Sequence, residues 1–336
     1  MRKLRRGIAG ASLLLAAALA SPHPAAAAGV VIGYENNGAD PWMVSQSLGL
    51  FPKLMQDKVS LVEFNSGPAA MGALASGSIQ LMCGIGMPPF VSALSQGLPL
   101  EIIYNQERYQ QDAGIAVRPG TGIASVADLK GRTIGIVQGS QASFELAIFL
   151  EQAKVPFGSV DQLNMSPPEM RAAWATHSID AAIVWDPVYD ALLGLGAKSL
   201  KTDADLPAGA SSYNICIADR NWTKANPAET IAFIKALDAG VAYTRQYPDK
   251  AIAIMAQAAG IDVPTATAEL QGYRLYSAKD QATSAVLGSG SAVAQSATGQ
   301  TLANTAAVLL KIGRITAPLG PVPGAIDPSF AARAAP

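Results

Sequence analysis

The chain has 336 residues, half of them apolar, and balances 24 Lys and Arg against 25 Asp and Glu, a net charge of −1. Setting aside the four basic residues among the first six leaves 20 basic side chains and a net charge of −5, which argues against a nucleic-acid-binding protein. This length and apolar content suffice for two domains with a core each, and two cysteines are too few for a disulfide scaffold.

The N-terminus has the three parts of a secretory signal peptide. A basic head precedes an apolar run over residues 7–20, too short to span a bilayer, and small residues follow up to Ala28. We therefore predict a signal peptide over residues 1–28, cleaved near Ala28, and export of the mature chain to the periplasm. No later apolar run reaches 18 residues, which predicts a mature chain without membrane spans.

Strands and helices alternate in the first part of the mature chain. We predict strands over residues 30–35, 59–65, 79–85, 100–105 and 113–117. Asp40 and Pro41 supply an N-cap and a first-turn proline for a helix to about residue 55, and Pro88 and Pro89 open a helix to residue 96. This alternation predicts an α/β fold with a mostly parallel sheet and helices on both faces.

A turn-rich break at residues 119–122 marks the start of a second lobe. The elements predicted after it are a short helix over 125–130, a strand over 133–137, a helix over 142–152, a strand–helix–strand unit over 163–185, a strand from 213 and a long helix over 227–247. We assign residues 29–117 and 213–336 to lobe one and residues 118–212 to lobe two. Two chain crossings, near residues 110–120 and 203–214, would form a hinge.

Two local features have alternative interpretations. Cys83 and Cys216 fall on predicted strands, where they are either small buried apolar residues or, if the strands are neighbours, a disulfide. The run 288–298 fits a loop or the frayed start of a helix.

Residues 66–80 are echoed one hundred positions later, at 166–180, with six identical residues in fifteen. Both segments are typical of a turn, a short Ala-rich helix opened by Pro, a second turn and an apolar strand. A repeat of this kind predicts two similar α/β lobes that enclose a cleft.

Reactive side chains are scarce. His177 is the only histidine after residue 28, and it falls at the end of a predicted helix, where the helix dipole accounts for it. The motifs of α/β-hydrolases, P-loop NTPases, dinucleotide-binding folds and zinc proteases are absent. Asp186 and Asp190 form an acidic pair that ordinary helix capping explains. We therefore predict no catalytic residue, no metal site and no cofactor.

Polar and aromatic residues cluster where the predicted strands end, which is the edge at which open α/β sheets bind ligands. Each cluster precedes a helix N-terminus, whose unpaired backbone N–H groups favour an anion without a basic side chain. An amine on the ligand would instead be met by Glu35 or Asp186, with Trp42 or Trp185 offering a ring face.

Several short motifs together resemble a known family. They are Gly33-Tyr34, Phe64-Asn65-Ser66-Gly67, Ala73-Leu74-Ala75-Ser76-Gly77 with Ile79-Gln80, Asp128-Leu129 with Gly131-Arg132 and Ile134, and Ala173-Trp174 with Asp180 and Val184-Trp185. The set resembles the periplasmic substrate-binding proteins of ABC importers for taurine, aliphatic sulfonates, nitrate-like solutes and thiamine precursors, and is most similar to the taurine binders. The likeness covers about residues 33–203.

The resemblance implies the two-lobed periplasmic binding protein fold (type II), in which each lobe is a mixed sheet flanked by helices. It implies a monomer that captures a small anionic or zwitterionic solute, taurine or a related aliphatic sulfonate, between hinged lobes and delivers it to a membrane permease and its ATPase. The ligand contacts that we predict are Glu35, Trp42, Met87, Gln106, Ser140, Gln141, Ser143, Trp185, Asp186 and Asn214.

Three positions depart from the taurine binders. Gly86 and Met87 stand where those proteins have paired serines, the run 140–143 lacks their histidine, and Asn214 falls where they place the acid that meets the amine. Either Glu35 or Asp186 therefore supplies the missing charge or the ligand is not taurine.

Two rival functions remain open from the sequence. One is a thiamine-precursor enzyme or pyrimidine binder of the same fold, of which the enzyme would need reactive histidine and cysteine in the cleft. The other is a soluble sensor that passes its ligand state to a receptor, which would bind solute equally well.

Overall fold

The computed structural model describes residues 29–109, 111–207, 209–210, 212–320 and 324–336. The predicted signal peptide, residues 1–28, lies outside the described residues. The described part of the chain forms two sheets, of six and five strands, with helices packed against them, which confirms the α/β prediction. The sheets are mixed rather than mostly parallel as the alternation predicted, because the strands Ser212–Asp219 and Ala113–Val117 each pair antiparallel with both neighbours.

The first sheet combines strands from both ends of the described chain. Its members are β1 (Val30–Tyr34), β2 (Val59–Glu63), β3 (Leu81–Ile85), β4 (Leu100–Tyr109), β10 (Ser212–Asp219) and β11 (Arg274–Leu275). Their spatial order is β11-β4-β10-β3-β1-β2. Strands β2, β1 and β3 run parallel, whereas β10 lies antiparallel between β3 and β4.

The second sheet repeats this plan with strands from one continuous stretch of chain. Its members are β5 (Ala113–Val117), β6 (Thr133–Ile136), β7 (Asp161–Asn164), β8 (Ala181–Trp185) and β9 (Lys198–Thr202). Their order is β7-β6-β8-β5-β9. Strands β7, β6 and β8 run parallel, and β5 lies antiparallel to both β8 and β9.

Fourteen helices are found in the described residues. They are α1 (Pro41–Ser47), α2 (Leu50–Met55), α3 (Gly67–Ala75), α4 (Met87–Ser95), α5 (Gln141–Gln152), α6 (Pro167–Ala175), α7 (Val188–Gly194), α8 (Arg220–Ala225), α9 (Pro227–Gln246), α10 (Pro248–Ala259), α11 (Val263–Gly272), α12 (Ala278–Gln281), α13 (Ala297–Lys311) and α14 (Ser329–Ala334). Short 3-10 turns cover Val126–Leu129, Phe157–Ser159, Asp203–Asp205 and Gly290–Gln295, the last within the run 288–298.

The helix predicted to run from Pro41 to about residue 55 is broken in two. Its start is as predicted, because Asp40 caps α1 and accepts a 2.7 Å hydrogen bond from the Trp42 N–H. The break follows from Gly49, whose φ of 62° lies in the left-handed region and ends the regular helix before α2 begins.

The sequence repeat of residues 66–80 at residues 166–180 is also a structural repeat. Helices α3 and α6 occupy matching positions, and β3 and β8 follow them at the same spacing. The turn after each helix is closed by the same hydroxyl pair at 2.8 Å, Ser76 with Ser78 and Thr176 with Ser178. His177 adopts a φ of 58° where its counterpart glycine has 73°. The repeat therefore extends to the backbone angles of the turn.

The chain crosses between the sheets twice, once between Tyr109 and Ala113 and once between Thr202 and Ser212. The strand Ala113–Val117 pairs with β8 and β9, so its assignment to lobe one with residues 29–117 disagrees with the sheet pairing. Local alternation of strands and helices cannot reveal this, because the sheet that an antiparallel strand joins is decided by distant pairing. The helices that follow β10 include α9, which packs on α1 and α2 of the first sheet's side.

Cys83 of β3 and Cys216 of β10 form a disulfide between adjacent antiparallel strands. Both side chains are fully buried, and their Cα atoms lie 4.0 Å apart. The disulfide alternative is therefore the correct one of the two that the sequence left open.

Among the described residues, we find no individual helix with the length and apolar character that crossing a membrane requires. One bent pair, Pro248–Ala259 with Val263–Gly272, meets the requirement only when its two helices are counted together, across a 107° bend.

Candidate ligand-binding site

A small cavity lies where the strand ends of the two sheets meet; together with the adjoining open solvent its space is about 350 Å³. We call it the central cavity. Its lining residues are Glu35, Asn37, Gly67, Gly84, Gly86, Pro89, Tyr109, Ala113, Ser140, Gln141, Ala142, Trp185 and Asn214. Both sheets and both sides of the first crossing contribute, so a molecule held there would touch both halves of the protein.

The wall from the first sheet is held by a chain of hydrogen bonds. The Asn37 side chain donates to the Gly84 carbonyl at 2.8 Å, and the Gly84 N–H donates to Gln106 Oε1 at 2.7 Å. Gln106 Nε2 in turn donates to Asp40 Oδ2 at 3.1 Å, and the Tyr273 hydroxyl donates to the Asn37 carbonyl. These bonds fix Asn37 and the Gly84 backbone before any ligand arrives.

Glu35 is the only acidic residue among the described residues that line the central cavity. It follows β1, is 6% exposed, and its Oε1 is buried without a hydrogen-bond partner in the described structure. Burial raises the pKa of the Glu35 carboxyl well above its usual range. In the neutral form that burial favours, Glu35 can donate a hydrogen bond to an anion.

Asn214 brings a second acid close to the cavity without exposing it. The Asn214 side chain hydrogen-bonds Glu107, which is 1% exposed and does not line the cavity. Burial and then the charge of Asp40 raise the pKa of Glu107 well above its usual range, and the Asn214 hydrogen bond opposes them. The amide therefore stands between the ligand space and a buried carboxyl.

The wall from the second sheet is the start of α5. Ser140 is the N-cap of this helix, and its Oγ accepts a 3.3 Å hydrogen bond from the Ser143 N–H. Ser140, Gln141 and Ala142 all line the cavity. Trp185, at the end of β8, closes the same side and also lines a neighbouring cavity.

The two halves approach each other closely at Gly86. A Cβ added there would lie 2.7 Å from the Cβ of Gln141, so only glycine allows this contact between the start of α4 and the start of α5. Gly67, at the start of α3, is likewise confined by Pro89 and by Glu35. Three helix N-termini thus meet at the cavity with little side-chain bulk between them.

The electrostatics of the cavity favour an anion over a cation. The starts of α3, α4 and α5 all reach it, and the first backbone N–H groups of a helix lack partners within the helix. Prolines in the first turns of α3 and α4 carry no N–H, so α5 offers the most such groups. None of the described lining residues is Lys, Arg or His. An anion would therefore be held by N–H dipoles and neutral side chains rather than by a countercharge.

Five of the ten predicted contact residues line the central cavity: Glu35, Ser140, Gln141, Trp185 and Asn214. Gln106 and Ser143 lie behind the wall as supports, through the bonds described above. Asp186 lines two neighbouring cavities rather than this one. Contact of these residues with a ligand stays a prediction.

Trp42 and Met87 are core residues rather than contacts. Trp42 is 2% exposed and its ring packs against those of Tyr34, Phe51 and Phe233, while Met87 is 1% exposed. Each follows a strand end by position, but the first turn of its helix directs it into the core of the first sheet. The ring face predicted at Trp42 is therefore unavailable to a ligand.

Tyr109, Pro89 and Ala113 line the cavity although they were not among the predicted contacts. The predicted strand stopped at residue 105, whereas β4 continues to Tyr109. Residues 105–108 are all polar, so the apolar pattern gave no signal that the strand continues to Tyr109.

Histidine and cysteine lie outside the central cavity in the described structure. Cys83 and Cys216 are joined in the disulfide, and His177 is exposed after the end of α6. The reactive pair that the enzyme alternative requires is therefore not found at this site.

Known proteins resemble the chain in sequence and in fold. It is 29% identical to the taurine-binding periplasmic protein of Escherichia coli (strain K12) over 237 residues, 70% of this chain and 73% of that one. The crystal structure of the periplasmic aliphatic sulphonate binding protein SsuA from Escherichia coli superposes with a TM-score of 0.68 at 26% identity, covering 86% of this chain and 94% of that one.

An enzyme shares the fold as well. The desulfurization enzyme DSZB matches with a TM-score of 0.64 at 16% identity, covering 91% of this chain and 98% of that one, which shows a common fold alone.

The family described as NMT1/THI5 like matches residues 44–251, more than half of the chain. This match spans both chain crossings and all of the second sheet, and it confirms the family resemblance seen in the motifs. The chain belongs to the NMT1/THI5-like family and has the fold of periplasmic binding proteins.

Proposed function

We propose that this protein is a periplasmic binding protein for a small aliphatic sulfonate, which it holds in the central cavity and delivers to an ABC importer. One observation carries the proposal. Three helix N-termini converge on a cavity whose described lining residues include no basic side chain and a single carboxyl, Glu35, whose pKa burial raises.

The chemistry of a sulfonate suits this arrangement. A sulfonate keeps its negative charge at all physiological pH values and offers three acceptor oxygens, so it needs several donors but no proton transfer. Backbone N–H groups at the start of α5, the Met87 N–H at the start of α4 and the Glu35 carboxyl in its protonated form can supply such donors. The Ser140 hydroxyl already donates to the Val137 carbonyl at 2.7 Å and serves as a support of the wall. The aliphatic part of the ligand would lie against Trp185 and Pro89. Relatives that bind taurine and aliphatic sulfonates support this choice.

Binding would favour the form of the protein in which the two halves are close. Glu35 and Asn214 belong to the first sheet's side, whereas Ser140 and Trp185 belong to the second. A ligand that contacts both sides stabilises their close approach by its differential affinity for that form. The Gly86 contact with Gln141 is part of the same approach.

Calorimetric titration with a matched pair of ligands tests the proposal. Taurine and propane-1-sulfonate have similar size, and taurine alone carries an ammonium group. We expect at least one of them to bind, to raise the melting temperature and to be recovered chemically unchanged after prolonged incubation. If neither these nor other short alkanesulfonates bind, the proposal is wrong.

The role of Glu35 separates the two ligand classes. In Glu35→Gln, propane-1-sulfonate binding should survive because the amide still donates hydrogen bonds, whereas taurine should bind at least tenfold more weakly if Glu35 ionises to pair with its ammonium. Asp249→Asn, which changes an exposed carboxylate in the first turn of α10, is the control and should leave both affinities unchanged.

Delivery to an importer is tested in cells. Deleting the gene should abolish uptake of the labelled ligand identified by calorimetry, and the wild-type gene should restore it. Trp185→Ala should restore uptake poorly. Normal uptake without the gene would favour the sensor alternative over transport.

A further inference from the structure

A second cavity lies beside the central cavity and is strongly acidic; together with the adjoining open solvent its space is about 780 Å³. We call it the acidic cavity. The residues that line it are Gln111, Asp112, Asp186, Asp190, Ala268, Glu269, Gln271 and Gly272. Asp186, Asp190 and Glu269 each place a carboxylate oxygen so that all three atoms lie within 4.8 Å of one another.

These carboxylates are close together without a described countercharge. Asp186 and Glu269 are each 3% exposed, and none of the three forms an ion pair with a described Lys, Arg or His. Carboxylates this close repel one another, and burial of unpaired charge is costly. A positive ligand would remove both penalties.

Glu269 carries the second observation that points to a ligand. Its Oε2 accepts a 2.7 Å hydrogen bond from the Ala39 N–H, which fixes the carboxylate. Its Oε1 is buried without a hydrogen-bond partner among the described residues. A buried oxygen on a fixed carboxylate in the cavity wall is a coordination position that the protein itself does not fill.

The geometry suits a metal ion coordinated by oxygen. Three atoms no more than 4.8 Å apart share a point within about 2.8 Å of each, close to the 2.3–2.6 Å of Ca²⁺–oxygen bonds. The described lining residues offer only oxygen and amide groups, with no His or Cys, which disfavours Zn²⁺. The cavity also has room for the water molecules that would complete the shell.

The three ligands come from both halves of the protein. Asp186 and Asp190 follow β8 of the second sheet, and the Asp186 Oδ1 accepts a 3.0 Å hydrogen bond from the Asp190 N–H. Asp186 lies one residue before the N-cap of α7, which is Pro187. Glu269 lies on α11, which packs on α10 and through it on α1 beside the first sheet. An ion held by all three would tie the halves together.

We propose that Asp186, Asp190 and Glu269 bind a hard, oxygen-preferring divalent cation that links the two halves of the protein. The site adjoins the central cavity through the Trp185-Asp186 pair but shares no described lining residue with it. The cation therefore supports the closed form without being part of the ligand's own contacts.

Calcium alone is the probe. After EDTA treatment and dialysis, we expect Ca²⁺ to raise the melting temperature of the protein saturably by several degrees, beyond the effect of NaCl at equal ionic strength. Calorimetry should give a single site, and the radius of gyration in solution should decrease on adding Ca²⁺. A missing Ca²⁺ response, or a response to Zn²⁺ alone, would overturn the proposal.

Two isosteric variants and one control test whether these carboxylates bind the cation. Glu269→Gln and Asp190→Asn should each weaken Ca²⁺ binding at least tenfold, and either suffices if the other fails to fold. Asp249→Asn removes an exposed carboxylate in the first turn of α10 and should bind Ca²⁺ as the wild type does. Equal Ca²⁺ affinity in all four proteins would exclude these carboxylates as the ligands.

Titration with propane-1-sulfonate or taurine in the same samples keeps the two proposals separate. A sulfonate response in Glu269→Gln without a Ca²⁺ response supports the cation site and shows that the variant is folded. If the wild type binds Ca²⁺ but shows no response to either sulfonate, the proposed function is contradicted and the cation site is not.

Discussion

The two copies of the repeated unit, α3 with β3 and α6 with β8, share a scaffold and differ at the strand ends. Gln80 and Asp180 occupy matching positions, and each accepts a hydrogen bond from the backbone of the central parallel strand, at Val31 and Thr133. Ile79 and Ile179 are both buried. Within the repeated unit, the two copies therefore make equivalent side-chain contacts.

Beyond the strands, the copies diverge. The first ends in Gly84-Ile85-Gly86, which lets backbone and helix N-termini approach the ligand space, whereas the second ends in Val184-Trp185-Asp186, which supplies a ring and an acid. The comparison teaches that the interior of each copy serves stability, whereas the residues beyond the strand ends serve binding. The predictions below break or sharpen that division.

The disulfide is the largest difference within the scaffolds, because Cys83 corresponds to Ile183 in the second copy. Its two cysteines are 133 residues apart, so the chain-entropy model gives about 5 kcal/mol of stabilisation. The double variant Cys83→Ala with Cys216→Ala should lose much of this in urea unfolding without reductant. A variant as stable as the oxidised wild type would show that the cross-link does not stabilise the first sheet.

Two tryptophans of the second copy test whether the scaffold and the strand end have separate roles. Trp174 is 4% exposed in α6, and Trp174→Ala should lower the free energy of unfolding by about 3–5 kcal/mol while sparing sulfonate affinity. Trp185→Ala should lower affinity at least tenfold with a smaller loss of stability. Denaturant unfolding measures the stability of both variants, and calorimetry measures their sulfonate affinity. If Trp174→Ala mainly weakens binding and Trp185→Ala mainly lowers stability, the two roles are not divided in this way.

Glu35, which follows β1, makes the free energy of unfolding depend on pH. Because burial raises its folded-state pKa, the folded protein keeps a proton that the unfolded chain releases near the ordinary pKa of 4.5. Its contribution to stability is thus complete below that pH and is lost as pH rises toward the folded pKa.

Melting temperatures measured from pH 4 to pH 9 should therefore fall less steeply with rising pH in Glu35→Gln than in the wild type. The exposed-site variant Asp249→Asn should follow the wild type. An unchanged slope in Glu35→Gln would mean that Glu35 is ionised in the folded protein.

The smallest effect concerns the turn that both copies share. His177 is exposed and has a φ of 58°, a conformation that glycine adopts without the cost of a Cβ. His177→Gly should stabilise the protein by about 1 kcal/mol, and Gly77→His should destabilise it by a similar amount. Thermal unfolding of both measures this. If the two substitutions change stability in the same direction, the turns are not equivalent.

Much of the fold was predictable because local patterns encode it. Apolar strands, prolines at helix starts and the echo placed most elements of the two parallel units. The sheet to which Ala113–Val117 belongs was not predictable, because β8 and β9 lie far along the chain. The disulfide stayed open for the same reason, since β3 and β10 are brought together by the second crossing.

The site was half predictable. Position after a strand correctly indicated Glu35, Ser140 and Trp185 as residues near the cavity, but the face of the following helix decides whether a side chain points to the ligand space or to the core. Trp42 and Met87 point to the core. The acidic cavity was missed because Glu269 joins Asp186 and Asp190 only through the packing of α11.

The position of β10 in the first sheet has a consequence for how the chain is made. Residues 113–202 supply every strand of the second sheet, so that half can be completed as soon as this stretch has emerged. The first sheet must wait for Ser212–Asp219, which inserts between β3 and β4, and until then both strands present unpaired edges. A nascent chain halted before residue 212 would hold one finished half and one with a gap at its centre.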